Sequence, residues 1–142
     1  MSDIKKYRVE PTTRLHLRDA RDELMYAEKE DGTNNETKPM AVNIFGPGSK
    51  QYAKAQTDRN NRMIDLLKKK GPSERTPEQE RREQADFLAA CTQSFENIDY
   101  DGLTDAALFR AVYNDIEIGF VAEQVAKHLG EWANFSTKPT RS

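Results

Sequence analysis

Two histidines, His16 and His128, are the only imidazoles in the chain, and each has a carboxylate three positions on, Asp19 and Glu131. A zinc centre needs three or four converging ligands, and no second His or Cys stands near either one. His128, beside Leu129 in a helical pattern, reads as a partly buried core residue. Cys91 falls on the apolar stripe of a helix, where a thiol is a small core side chain rather than a nucleophile. The run Gly46-Pro47-Gly48-Ser49-Lys50 superficially suggests a phosphate cradle. A P-loop needs Gly-Lys-Ser/Thr after four spacers; here Lys follows Ser and Pro47 removes a backbone donor, so the run is a turn. Asp99, Asp101 and Asp105 cluster without the twelve-residue calcium-loop spacing and read as turn and capping residues. With no nucleophile, base and orienting group to name together, the residues point away from an enzyme.

Charge bounds the partners. The 142 residues carry a net charge of −2 with pI near 5.8, which argues against a dedicated nucleic-acid binder. Arg59, Arg62, Lys68, Lys69 and Lys70 lie close together with Asn60 and Asn61, but no aromatic platform interleaves with them. The distribution is uneven: residues 50–82 hold ten Lys/Arg against five Asp/Glu, and residues 95–135 hold eight Asp/Glu against two Lys/Arg. Such polarity suits head-to-tail self-association or a partner of mixed charge. Hydrophobic residues are 36%, charged residues 32%, and mean hydropathy is −0.91, so the core is small for the length. One cysteine excludes an internal disulfide and fits a reducing cytoplasm. No apolar run reaches the length of a signal sequence or membrane span, so the expectation is a soluble, non-secreted protein with no membrane partner.

The elements that must position these residues begin with Met40, Val42 and Ile44, which alternate with Ala41 and Asn43 as a strand with one buried face. Gly46-Pro47-Gly48 ends it and Ser49 stands at an N-cap. Tyr52, Ala55, Gln56, Arg59, Met63, Leu66 and Leu67 then recur at helical steps until Gly71-Pro72, predicting a helix over 50–70 laid across the sheet. Leu15 and Leu17 predict an earlier strand, and residues 23–26 a second. Residues 1–13 and 136–142 read as loose tails, 28–39 as a mobile loop, a turn or hairpin tip, and 71–76 as an inter-helix hinge of a single domain, 1–142. Thr76-Pro77-Glu78-Gln79 is a capping box opening a second helix, with a burying stripe through Ala85, Leu88, Cys91 and Phe95. Thr104 caps a third helix through Tyr113, and a last one carries Ile118 to Leu129. The predicted class is α+β, predominantly helical: a small N-terminal antiparallel β-sheet packed against an amphipathic helix, followed by a helical C-terminal half.

Several stretches together resemble the tail assembly chaperones of long-tailed, siphovirus-type bacteriophages. They are Leu15-His16-Leu17-Arg18, Val42-Asn43-Ile44-Phe45-Gly46-Pro47-Gly48-Ser49-Lys50-Gln51-Tyr52, Ala90-Cys91-Thr92 with Phe95-Glu96-Asn97, and Glu123-Gln124-Val125 with Asn134-Phe135. The resemblance implies a non-enzymatic helper in the host cell cytoplasm, without cofactor. Such a helper binds the tape measure protein, keeps it soluble, helps recruit tail tube protein and is absent from the virion. Many members of that family are also made in a longer, frameshifted form. Apolar side chains gather in the last third, and an aliphatic and aromatic patch left uncovered there would be an interface. The expected partner-binding residues are Phe120, Val121, Val125, Leu129 and Trp132, with self-association into a homo-oligomer alongside. The competing readings are a structural tail or head–tail morphogenesis protein retained in the particle, and a small nucleic-acid-binding regulator using the basic helix.

Overall fold

The computed structural model describes residues 3–70, without the Lys70 side chain, and 75–136. Strand β4 (Ala41–Phe45) lies at the centre of a three-stranded antiparallel sheet, between β1 (Thr12–His16) and β5 (Thr92–Glu96). The sequence alternation explains the faces. Val42 and Ile44 are fully buried, and their partners include Leu15, Thr13, Phe95 and Thr92. On the opposite face Arg14, Asn43, Ser94 and Glu96 form a polar lattice. The Arg14 Nε–H donates to Glu96 at 2.8 Å, and the Asn43 amide donates to both Ser94 and Glu96 at 2.9 Å. The bonds from Arg14 and Asn43 to Glu96 hold its carboxyl below its ordinary pKa. A separate ribbon pairs β2 (Tyr26–Glu28) with β3 (Asn34–Pro39).

The helices are α1 (Lys50–Lys70), α2 (Pro77–Ala90), α3 (Asp105–Asn114) and α4 (Gly119–Leu129), with 3-10 turns at Ile4–Tyr7, Ile116–Ile118 and Trp132–Phe135. The class is mixed α+β, 51% helix against 22% strand, so it is mainly helical as the sequence predicts. The helices lying against the sheet are α2, α3 and α4, whereas α1 has α2 as its main neighbour. Tyr52 meets the Phe87 ring edge-on at 6.0 Å, and the Arg59 guanidinium lies 4.7 Å over that ring. Arg62 grips Glu83 through Nε–H and Nη2–H bonds of 2.7–3.0 Å. Thr76 and Gln79 form the predicted capping box on α2.

Three local expectations change. The stripe through Cys91 and Phe95 is not one helix: α2 stops at Ala90 and the chain turns into β5. The Thr92 hydroxyl bonds the Leu88 carbonyl and the Tyr113 hydroxyl, and the Phe45 N–H reaches the Cys91 carbonyl. Steps of three and four are equally met by a helix end followed by an alternating strand, and the Phe95 ring, 4.6 Å from Phe109 and 5.7 Å from Tyr113, decides for the strand. The sheet is therefore built partly from the C-terminal half. Within 28–39, Thr33 and Thr37 close local turns on Asp31 and Asn35, and the stretch is a hairpin rather than a mobile loop: its second half, Asn34–Pro39, is β3 paired with β2. Residues 1–13 contain the turn Ile4–Tyr7 and the start of β1, and Val9 bridges Ser136, where the second tail was expected to begin. Residues 71–74 of the hinge, 137–142 and 1–2 lie outside the described residues.

Candidate functional site

The reactive side chains have structural employment. Cys91 is fully buried, and that burial pushes its thiol up to about 12 against a weaker opposing pull from Arg59. Ser49 caps α1: its hydroxyl donates to the Gly46 carbonyl at 2.7 Å and accepts the Tyr52 N–H. The Gly46–Gly48 turn is fixed from outside, since a Cβ at Gly46 would overlap the Phe135 ring and one at Gly48 would crowd Val9. The carboxylate of Asp99 accepts the Gly102 N–H, within a turn where Asp101 and Gly102 take positive φ (54° and 71°).

The two histidines, distant in sequence, share one groove between β1 and α4. It is a space of about 320 Å³ whose rim includes Arg18, Gln124, Lys127 and Glu131. His16 Nε2 lies 2.8 Å from the Met25 carbonyl, and its ring meets Tyr26 edge-on at 5.0 Å. His128 packs against Phe135, and its buried Nε2 has no hydrogen-bond partner among the described residues. Burial lowers its pKa, partly offset by Glu131. Among the described residues no group of three or more His, Cys, Asp or Glu could hold a metal.

The expected partner-binding residues separate into two groups. Val121, Val125 and Leu129 are 3%, 0% and 4% exposed, on the face of α4 turned to the core. They cannot form an outer surface in this fold; the 3.6-residue period that suggested a patch is their core stripe. Phe120 is half-buried against that core. Trp132 is 59% exposed, with the far edge of its indole near Gly48.

Two further features carry apolar surface. On α1, past its contact with α2, Met63, Ile64 and Leu67 are 40%, 50% and 54% exposed. Their spacing was readable as helix, but which face lay bare depended on α2 taking the side of Tyr52, Arg59 and Arg62. A hollow of about 180 Å³ lies among Leu17, Met25, Met40, Ile98, Val112 and Val121, with Asp99 and Tyr100 at its edge. Nothing in the sequence order brings those six together.

Four of the stretches quoted above meet in pairs. The Gln124 amide donates to the Arg18 carbonyl at 2.6 Å and accepts the Arg18 N–H at 2.7 Å, locking α4 to the end of β1. Phe135 lies on Gly46, and the Asn134 amide closes the end of α4 on the His128 carbonyl. Comparison with known proteins gives no match: no family model, curated protein or solved structure is similar to the chain.

Proposed function

We propose that the chain is a tail assembly chaperone of a long-tailed bacteriophage. It binds the tape measure protein in the host cytoplasm, keeps it soluble, helps recruit tail tube subunits and leaves before the virion is complete. Copies of it associate along that client. The observation that carries the reading is Trp132, a large aromatic held 59% in solvent beside a closed core. Exposed tryptophan on a rigid support is the side chain most often found at the energetic centre of a protein interface. Trp132 also sits against Gly48 of the Gly46–Gly48 turn.

Co-expression with the tape measure protein tests it. Trp132→Ala leaves the circular dichroism spectrum and melting temperature unchanged and weakens capture by about 2 kcal/mol, roughly 30-fold. Val125→Asp, by contrast, unfolds the chain, because it puts a charge at a position with 0% exposure. Normal capture by folded Trp132→Ala refutes the contact, and stoichiometric presence in purified virions refutes the chaperone in favour of a structural tail protein.

A further inference from the structure

The acidic side of this molecule contains a receptacle and the basic helix contains something of matching shape and charge. The hollow bounded by Leu17, Met25, Met40 and Val121 measures about 180 Å³. An apolar cavity of roughly 150 Å³ is enough for benzene, so this one accommodates a leucine, isoleucine or methionine side chain. Its edge is negative. Asp99 lines it, and Tyr100, which also lines it, donates its hydroxyl proton to Asp115 at 2.8 Å. Ile118 also lines the hollow, and Glu117 directly precedes it in the turn that Asp115 caps. Exposed Leu103 and Ile116 belong to the same two segments, 99–104 and 115–117, and extend the apolar area beyond the hollow.

The second half of α1 presents Met63, Ile64 and Leu67 to solvent. Lys68 and Lys69, both exposed, follow Leu67, with Asp65 the single acid between Arg59 and Lys69. Arg62 is already committed to Glu83 and Arg59 to the Phe87 ring, and Lys69, about 240° round the helix from Met63, lies away from the stripe; Lys68, one turn on from Ile64, is the exposed charge beside it.

We propose that Leu67 of one copy inserts into the acid-rimmed hollow of a second copy, with Met63 and Ile64 lying against the apolar surface around it and Lys68 facing Asp99 and Glu117. This deepens the self-association named above by assigning its two surfaces. Charge complementarity selects the occupant: the chain itself offers an apolar stripe flanked by the opposite charge. Because the two surfaces differ, the contact is heterologous and propagates head to tail, into a ring or an open chain.

Sedimentation of the purified chain without any client is the test, so that its result is independent of tape measure binding. The wild type grows in mass with concentration at low salt and falls back to monomer as salt rises. Leu67→Asp lacks the inserting side chain, and the pair Asp99→Lys with Glu117→Lys lacks the negative rim; each is monomeric alone. Mixed, they form a complex of one copy each and nothing larger, because each retains the surface that the other lost. A monomeric wild type at low salt, or a mixture that stays monomeric, overturns the assignment. Methyl NMR of the wild type provides a check without any variant. On association the signals of Met25 and Met40 in the hollow shift together with that of Met63 on the stripe, and a shift of Met63 alone overturns it.

Discussion

Phe135 closes the core from its C-terminal end, and truncating it probes how that closure works. The ring is 1% exposed, lies on Gly46 and meets His128 at 5.7 Å. Phe135→Ala therefore removes a fully buried aromatic, a loss of about 3–5 kcal/mol. Against a total stability of about 5–15 kcal/mol for a domain, that is a large share. With a urea dependence of about 2 kcal/mol per molar, the unfolding midpoint falls by about 2 M. Gly46→Ala perturbs the same contact from the other side. The φ at Gly46 is not left-handed, so alanine brings no backbone strain there, only a methyl that collides with the ring, at about 1–3 kcal/mol. In the double variant the new methyl enters the space the ring vacated. The two penalties then fail to add by about 1–3 kcal/mol, with the alanine at 46 neutral or favourable once the ring is gone. Urea titrations of all four proteins by circular dichroism give the cycle directly. Strict additivity of the two losses refutes the claim that this contact seats the C-terminal segment.

Two further outcomes follow from the buried titratable groups. Burial lowers the His128 pKa below its ordinary 6.5; the unfolded chain therefore binds this proton more readily. Stability from the neutral ring is complete above about pH 6.5 and is lost as pH falls through the lower folded value. Urea midpoints therefore drop as pH falls below about 6.5, and His128→Leu flattens that part of the profile. The Cys91 thiol, fully buried and pushed up to about 12, reacts with an aromatic disulfide reagent only when the protein unfolds, so labelling rates rise with urea in step with the lost ellipticity. Rapid labelling in the native state would contradict the buried position.

What was legible in the sequence was whatever rests on neighbours in the chain. The strand at Ala41–Phe45, the Ser49 cap, the helix to Lys70 and the Thr76–Gln79 capping box depend on residues within a few positions of each other. What escaped depends on long-range pairing. Thr92–Glu96 becomes a strand because β4 offers it an edge, and no property of those five residues alone outweighs the helical spacing that precedes them. Asn34–Pro39, without a large apolar side chain, is strand only by virtue of Tyr26–Glu28 opposite. The interface residues illustrate the same limit. Val121, Val125 and Leu129 have the composition of a contact surface and of a core alike, and only the location of the sheet determines which. Met63 and Leu67 share the expected inward stripe of α1 with Tyr52 and Arg59, but α2 packs on the Tyr52 and Arg59 side and leaves Met63 and Leu67 exposed. The shared groove of His16 and His128 likewise needs β1 and α4 side by side, which Gln124 enforces from 106 positions away.

The bridge from Val9 to Ser136, with the Glu10 N–H on the Phe135 carbonyl, joins segments at opposite extremes of the described chain. Closing so long a loop is entropically the costliest step among the contacts seen here, though the cost grows only slowly with length. Local hairpins and helix pairs therefore form first and this seam last. Trp132 belongs to the same turn as Phe135, so its perch is finished only when synthesis has passed Ser136 and the seam has zipped. A nascent or clipped polypeptide lacks that perch, and its indole then has no fixed support.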